Sequence, residues 1–109
     1  MFGSKKGGVP GEIDVAGIPQ LSGAKEFLRM WKPEEGGAIC LVQPENLQPD
    51  PFVFGMVMVD AIRHAARAWS QAVNISEEDA LARIFEGFDA ERGMSTTEID
   101  QLSSNGGLN

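Results

Sequence analysis

The stretch from Asp50 to Asn74 constrains the fold of this chain most, because apolar residues cover most of its circumference as a helix. It begins with an aspartate followed by proline, which is a helix-capping residue followed by proline at the first helical position. Its polar residues recur at intervals of three and four and therefore share one helical face. This polar stripe consists of Asp60, Arg63, His64, Arg67, Gln71 and Asn74. We predict one long helix that is buried on two sides.

The apolar residues of this helix form two faces of different character. The bulky face contains Met56, Val59, Ile62, Ala66, Trp69 and Val73. The alanine-rich face contains Phe54, Val57, Met58, Ala61, Ala65, Ala68 and Ala72. Small side chains let a second helix approach closely. We therefore expect a helix on the alanine-rich face and a sheet on the bulky face, with either layer supplied by the same subunit or by another copy.

Two short segments before the long helix predict a β-hairpin. Residues 26–32 and 38–43 alternate or run apolar as strands do, and residues 33–37 between them contain proline and two glycines. Residues 22–28 also contain good helix formers, so a helix in place of the first strand stays open. Cys40 is the only cysteine, which excludes an internal disulfide and a cysteine-based metal cluster. We expect its side chain to be buried.

Two capping patterns follow the long helix. Ser76 with Asp79 three residues later predicts the start of a second helix, and Gly93 predicts its end. The same pattern recurs from Ser95 and predicts a short third helix to about Leu102.

These elements predict an α+β fold in one small domain over residues 23–103, with the β-hairpin packed on the long helix and two shorter helices completing it. The glycine-rich residues 1–22 are expected to be largely flexible. Residues 104–109 are expected to form a flexible tail. A two-stranded sheet and a short chain make a weak core, which favours a homodimer built on the long helix.

Charge excludes some classes of partner. The net charge of −7 argues against binding to nucleic acid, whose phosphates require clustered lysine and arginine. The charge is uneven, because residues 51–74 carry +1 and residues 75–109 carry −6. The sequence predicts no signal peptide and no membrane span, and we expect a cytoplasmic protein without a membrane partner.

The polar stripe is the best candidate for a ligand site. Asp60 lies one helical turn from both Arg63 and His64, so these groups can neutralise one another or bind a small anion together with Arg67. Arg29 from the hairpin could complete such a site.

Catalysis is not predicted, because no nucleophile accompanies the only histidine. Ser70 is the nearest hydroxyl in sequence, but it falls off the face that carries His64. We therefore assign no catalytic residue, no metal ligand and no cofactor.

A third hypothesis is calcium binding at residues 89–100, which resemble a degenerate EF-hand loop. With Asp89 at loop position 1, the positions that need glycine and glutamate hold Met94 and Asp100. Two of the rules for the loop are therefore broken.

Two short motifs stand out, the L-R-x-W strand Leu28-Arg29-Met30-Trp31 and the D-x-x-R-H helix Asp60-Ala61-Ile62-Arg63-His64 with Gly55 before it. On these residues the chain resembles a family of small uncharacterised, mainly alphaproteobacterial proteins that form a domain of unknown function. The family has tryptophan before the helical glycine, where this chain has Phe54. The resemblance spans residues 26 to about 75 and implies a fold with no activity attached. We therefore predict a non-enzymatic interaction or regulatory protein that acts as a homodimer, with a small anion-binding module as the alternative.

Overall fold

The computed structural model describes residues 9–94 of the 109-residue chain. Two strands precede two helices, and short 3-10 turns at Pro19–Leu21 and Pro44–Asn46 lie in the connecting segments. The elements are β1 (Leu28–Trp31), β2 (Ile39–Val42), α1 (Pro51–Val73) and α2 (Glu77–Gly93). The α+β class is confirmed. Two helices are present in the described part, whereas the sequence predicts three, and the predicted third helix lies outside the described residues.

The hairpin is antiparallel, with Leu28 opposite Val42 and Trp31 opposite Ile39. Gly36 in the connecting loop has a φ of +91°, a conformation that glycine adopts without steric cost. The strands are shorter than the predicted ones but lie within them. No helix forms over residues 22–27, so the predicted strand is confirmed over the helical alternative.

The start of α1 follows from local chemistry. The Asp50 side chain accepts a hydrogen bond from the Phe52 amide at 3.0 Å, and Pro51 occupies the first helical position. At the other end Asn74 has a φ of 62°, in the left-handed region that ends many helices. The predicted bounds of the long helix are confirmed.

The short link from Asn74 to Ser76 sends α2 back along α1. The Ser76 hydroxyl accepts a hydrogen bond from the Asp79 amide at 2.9 Å, and the Ser70 hydroxyl donates to the Ile75 carbonyl at 2.6 Å. Ile62 in the middle of α1 lines the same cavity as Phe88 near the end of α2, as an antiparallel pair requires. The cap predicted at Ser76 and the end predicted at Gly93 are both confirmed.

The buried core of the described residues is very small. Ala66 on α1 and Ala80 on α2 are 3% and 2% exposed, and no other described residue is buried. An alanine on each helix lets the two backbones come close, and the bulkier side chains lie to either side of this line of contact.

The predictions that the bulky face of α1 meets the hairpin and that its alanine-rich face meets a helix are both wrong. The bulky face meets α2, because Ala66 is its one small residue and the tight turn at Asn74 directs α2 onto it. Ala61, Ala68 and Ala72 of the alanine-rich face are exposed. Within residues 9–94, neither strand packs along α1. The hairpin touches the first part of the helix, where the rings of Phe27 and Phe54 meet edge to face at 6.3 Å.

The prediction that Cys40 is buried is also wrong, since its side chain is exposed. Cys40 pairs with Met30, and residues opposite each other in a hairpin share one face. Met30 is 57% exposed, which shows that no described element covers these two positions. An apolar run in a strand predicts burial only where a second layer of structure lies over it.

Candidate functional site

The polar stripe lies on the surface of α1, as the spacing of its residues predicts. Asp60, Arg63, His64, Arg67 and Gln71 are all exposed on the helix, and Asn74 follows as its capping residue. Side chains on the outside of a helix project from a convex surface. The stripe therefore presents charge to solvent or to a partner, and it does not enclose a small molecule.

One residue of the stripe is already engaged within the chain. The Arg67 Nε donates to Glu77 Oε2 at 3.0 Å, across the turn between the two helices. Both side chains are more than half exposed, so the ion pair contributes about 0–1 kcal/mol. The pairing with Glu77 leaves Arg67 with less free positive charge and fewer free N–H groups for an anionic ligand.

Asp60, Arg63 and His64 make no ion pair and no side-chain hydrogen bond to the rest of residues 9–94. The hydrogen bond that would orient the His64 ring toward Asp60 is therefore not formed in this state of the chain. These three groups are charged or polar, close together and available for contacts to another molecule.

Arg29 lies apart from the stripe, on the hairpin. Its Nε donates to Glu26 Oε2 at 2.7 Å, and this hydrogen bond and the charge of Glu26 raise the pKa of Arg29 above its ordinary value. Arg29 lines a groove of about 380 Å³ whose other walls belong to residues 25–28, 41–43 and 46. No described contact joins Arg29 to the residues of the stripe.

An apolar ridge runs beside the stripe along the first half of α1. Phe52, Met56 and Val59 recur at intervals of four and three, so they share one face, and they are 71%, 56% and 39% exposed. The sequence does not predict this ridge as a surface, because bulky residues on a helix are expected to be covered.

Further apolar surface lies where α2 meets α1. An open cavity of about 420 Å³ is lined mainly by apolar side chains, among them Ile62, Trp69, Ile84 and Phe88. The Phe85 and Phe88 rings meet edge to face at 6.3 Å, and the Arg92 guanidinium lies 5.9 Å from the centre of the Phe88 ring. Trp69 remains 57% exposed and Phe88 45% exposed.

The calcium hypothesis is not supported by the backbone. An EF-hand loop leaves the helix so that alternate residues can turn toward the ion. In this chain Asp89 to Gly93 continue α2 as helix. The rest of the predicted loop, from residue 95, lies outside the described residues. Within the described ones, no group of three or more histidine, cysteine or carboxylate side chains is arranged to hold a metal ion.

A model of a protein family, described as a domain of unknown function, DUF5076, matches residues 16–96. The chain belongs to the DUF5076 family. The matched range contains both strands and both helices of the fold. Membership of a family of unknown function agrees with the resemblance noted in the sequence. The alphaproteobacterial distribution and the short motifs assigned to that resemblance stay predictions.

One solved structure is similar to this DUF5076 chain over nearly its whole length. It is described as "a putative pyruvate dehydrogenase from the photosynthetic bacterium Rhodopseudomonas palustrus CGA009". The two sequences are 29% identical, the similarity covers 88% of this chain and 99% of the other, and the TM-score is 0.65. Comparison with curated proteins gives no match. The similarity supports the fold, and the name belongs to the other protein.

No helix in the described part of this DUF5076 chain has the length and hydrophobicity needed to cross a membrane. Several of its exposed large apolar residues, among them Phe52, Met56 and Val59, lie on α1. The candidate site of the domain is therefore a surface of α1, composed of the apolar ridge and the neighbouring charged residues.

Proposed function

We propose that this DUF5076 protein is a non-enzymatic interaction or regulatory protein that acts as a homodimer through its helices. The observation that carries the proposal is the contrast between two buried alanines and the exposed ridge of Phe52, Met56 and Val59. Large apolar residues grouped on one face of a soluble domain mark a contact surface.

The small core of the described chain favours self-association. Burial of apolar surface contributes about 25 cal/mol for each Å², and in its described part the chain by itself buries only two small residues, Ala66 and Ala80. Domains of this size are already marginal with an ordinary core. A second copy packed on the helices would cover the ridge and supply the missing burial.

The exposed chemistry gives little support to catalysis. His64 and Cys40 lie on different elements, and neither makes a side-chain hydrogen bond within residues 9–94 that could activate it as a base or a nucleophile. The name of the similar solved structure supplies no residue-level reason to expect that activity here. We also place the protein in the cytoplasm, where an exposed single thiol such as Cys40 stays reduced.

A small anion-binding module is the second candidate. It is favoured by Arg63 and His64, which have no ionic partner among the described residues. It is disfavoured by the convex surface of the helix and by the pairing of Arg67 with Glu77. If it is right, inorganic phosphate raises the melting temperature of the wild type and has no such effect on Arg63→Ala.

The homodimer is tested by sedimentation velocity across a micromolar dilution series. The wild type is expected to sediment as a dimer, and Met56→Lys as a monomer, because the variant places a charge in the contact surface. The matched control is Ile13→Lys, which changes an apolar side chain that is 82% exposed in the segment before the hairpin. This control is expected to remain a dimer.

A wild type that sediments at the mass of one chain throughout the series would overturn the proposal. Equal loss of the dimer in Met56→Lys and Ile13→Lys would remove α1 from the interface. Circular dichroism of each variant establishes that its helices are intact.

A further inference from the structure

We infer that the two copies meet through antiparallel α1 helices, with Asp60 of each copy paired with the partner's Arg63. The inference rests on the homodimer proposed above and specifies its geometry. It assigns a role to the two charged residues of the polar stripe that lie nearest the middle of α1.

The charged residues of α1 lie close together on one side of the helix. Met56, Asp60, Arg63 and Arg67 fall within an arc of about 60° around α1, since successive residues are separated by about 100°. Asp60 and Arg63 are exposed and have no ionic partner in the described chain. They lie about 4.5 Å apart along the helix axis, on the side that also carries Met56 of the ridge.

The proposed pairing is compatible with the two-fold symmetry of a homodimer. A two-fold axis perpendicular to α1 and midway between residues 60 and 63 places each Asp60 opposite the partner's Arg63, so the favourable pair forms twice. The same axis places Met56 opposite the partner's Arg67, whose aliphatic stem can cover an apolar side chain. A parallel arrangement would instead place like charges opposite each other, Asp60 on Asp60 and Arg63 on Arg63.

The two-fold axis of the proposed pairing lies near the middle of α1. α1 runs from residue 51 to residue 73, so its midpoint is residue 62. The axis that pairs Asp60 with the partner's Arg63 passes within one residue of this midpoint. The two helices then overlap along almost their whole length, which is about 33 Å for 22 residues. The register that pairs the charges is therefore also one in which the two helices overlap almost completely.

The charges of the two helices favour α1 over α2 as the central contact of the dimer. α2 carries six acidic residues and two arginines, so two copies of α2 in a central contact would repel each other. α1 carries two arginines and one aspartate in a self-complementary order. Antiparallel α1 helices also align their dipoles favourably. These observations favour α1 as the central contact over α2.

The test uses charge reversal in two separate chains. Asp60→Arg and Arg63→Asp are each expected to weaken self-association about tenfold or more, because each homodimer then contains two like-charged pairs. A mixture of the two variants is expected to form heterodimers in excess of either homodimer, because both pairs become attractive again. Native mass spectrometry of differently isotope-labelled chains measures the three species.

The matched control is the Arg83 and Glu86 pair on α2. It has the same spacing of three residues, and its atoms lie 2.6 Å apart within one chain. Arg83→Glu and Glu86→Arg are expected to leave the dimer unchanged and to mix in statistical proportion. Rescue between chains cannot arise from a pair that acts within a single helix.

The outcomes separate this inference from the proposed function. A monomeric wild type would overturn both. A dimeric wild type whose Asp60→Arg and Arg63→Asp variants mix statistically would overturn the antiparallel pairing and leave the homodimer standing. If charge reversal unfolds the chain, Asp60→Asn and Arg63→Gln replace it. Their double variant is then expected to weaken the dimer no more than either single variant, and additive losses would overturn the pairing.

Discussion

At the scale of single residues, the ends of the two helices are held by side chains that lie two or three positions away. Asp50 accepts from the Phe52 amide, and Ser76 accepts from the Asp79 amide. Each of these bonds satisfies a backbone donor that the helix itself leaves without a partner. Because the interaction is local, it forms wherever the helix forms and does not depend on the rest of the fold.

Removal of the first cap tests this account. Asp50→Ala is expected to lower the free energy of unfolding by about 1 kcal/mol, because the amide of Phe52 loses its acceptor. Asp50→Ser keeps an acceptor at the same position and is expected to retain most of the stability. Urea denaturation followed by circular dichroism measures both. A loss of the same size in the serine variant would show that the negative charge, and not the hydrogen bond, stabilises the helix.

At the scale of elements, the contact between α1 and α2 depends on the small size of two side chains. Ala66 and Ala80 are the buried residues of the described chain, one on each helix. They allow the helices to approach closely, and larger side chains fit only beside this point. The contact therefore sets the distance between the helices and decides which residues remain exposed.

Enlarging these side chains should push the helices apart. Ala66→Leu and Ala80→Leu are each expected to lower the free energy of unfolding by about 1–3 kcal/mol through overpacking. Ala82→Leu, at an exposed position of α2, is the matched control and is expected to change stability by less than about 0.5 kcal/mol. Thermal or urea unfolding measures the series. Equal effects at Ala80 and Ala82 would contradict a close helix crossing at the buried alanines.

The elements also show what the sequence can and cannot predict. The hairpin, both helices and their caps follow from patterns within a few residues, and the structure agrees with them. The element that packs on each face of α1 cannot be predicted from such local patterns, because it depends on the direction that the chain takes after Asn74. The exposure of the polar stripe could be predicted from its spacing. The separation of Arg29 from the polar stripe could not be predicted, since Arg29 lies on the hairpin and the stripe on α1, and neither strand packs along that helix.

At the scale of the whole molecule, burial is set by how many layers the chain can supply. No position of either strand is fully buried, and the hairpin meets α1 near one end, so Met30 and Cys40 stay exposed. The helix pair has one line of contact and leaves Trp69 and Phe52 more than half exposed. The sequence contains enough apolar residues for a core, but one copy of the described chain does not enclose them.

A domain that completes its core by self-association should unfold at a temperature that depends on its concentration. If folding and dimerisation are coupled, the melting temperature of the wild type should rise by about 4 °C for each tenfold increase in concentration, given the usual enthalpy per residue for two domains of this size. Calorimetry or circular dichroism measures the slope. Met56→Lys is expected to melt at a lower temperature that no longer depends on concentration, because it prevents association. Ile13→Lys should keep the slope of the wild type. A wild-type melting temperature that is constant with concentration would mean that the exposed ridge of α1 does not contribute to folding through a second copy.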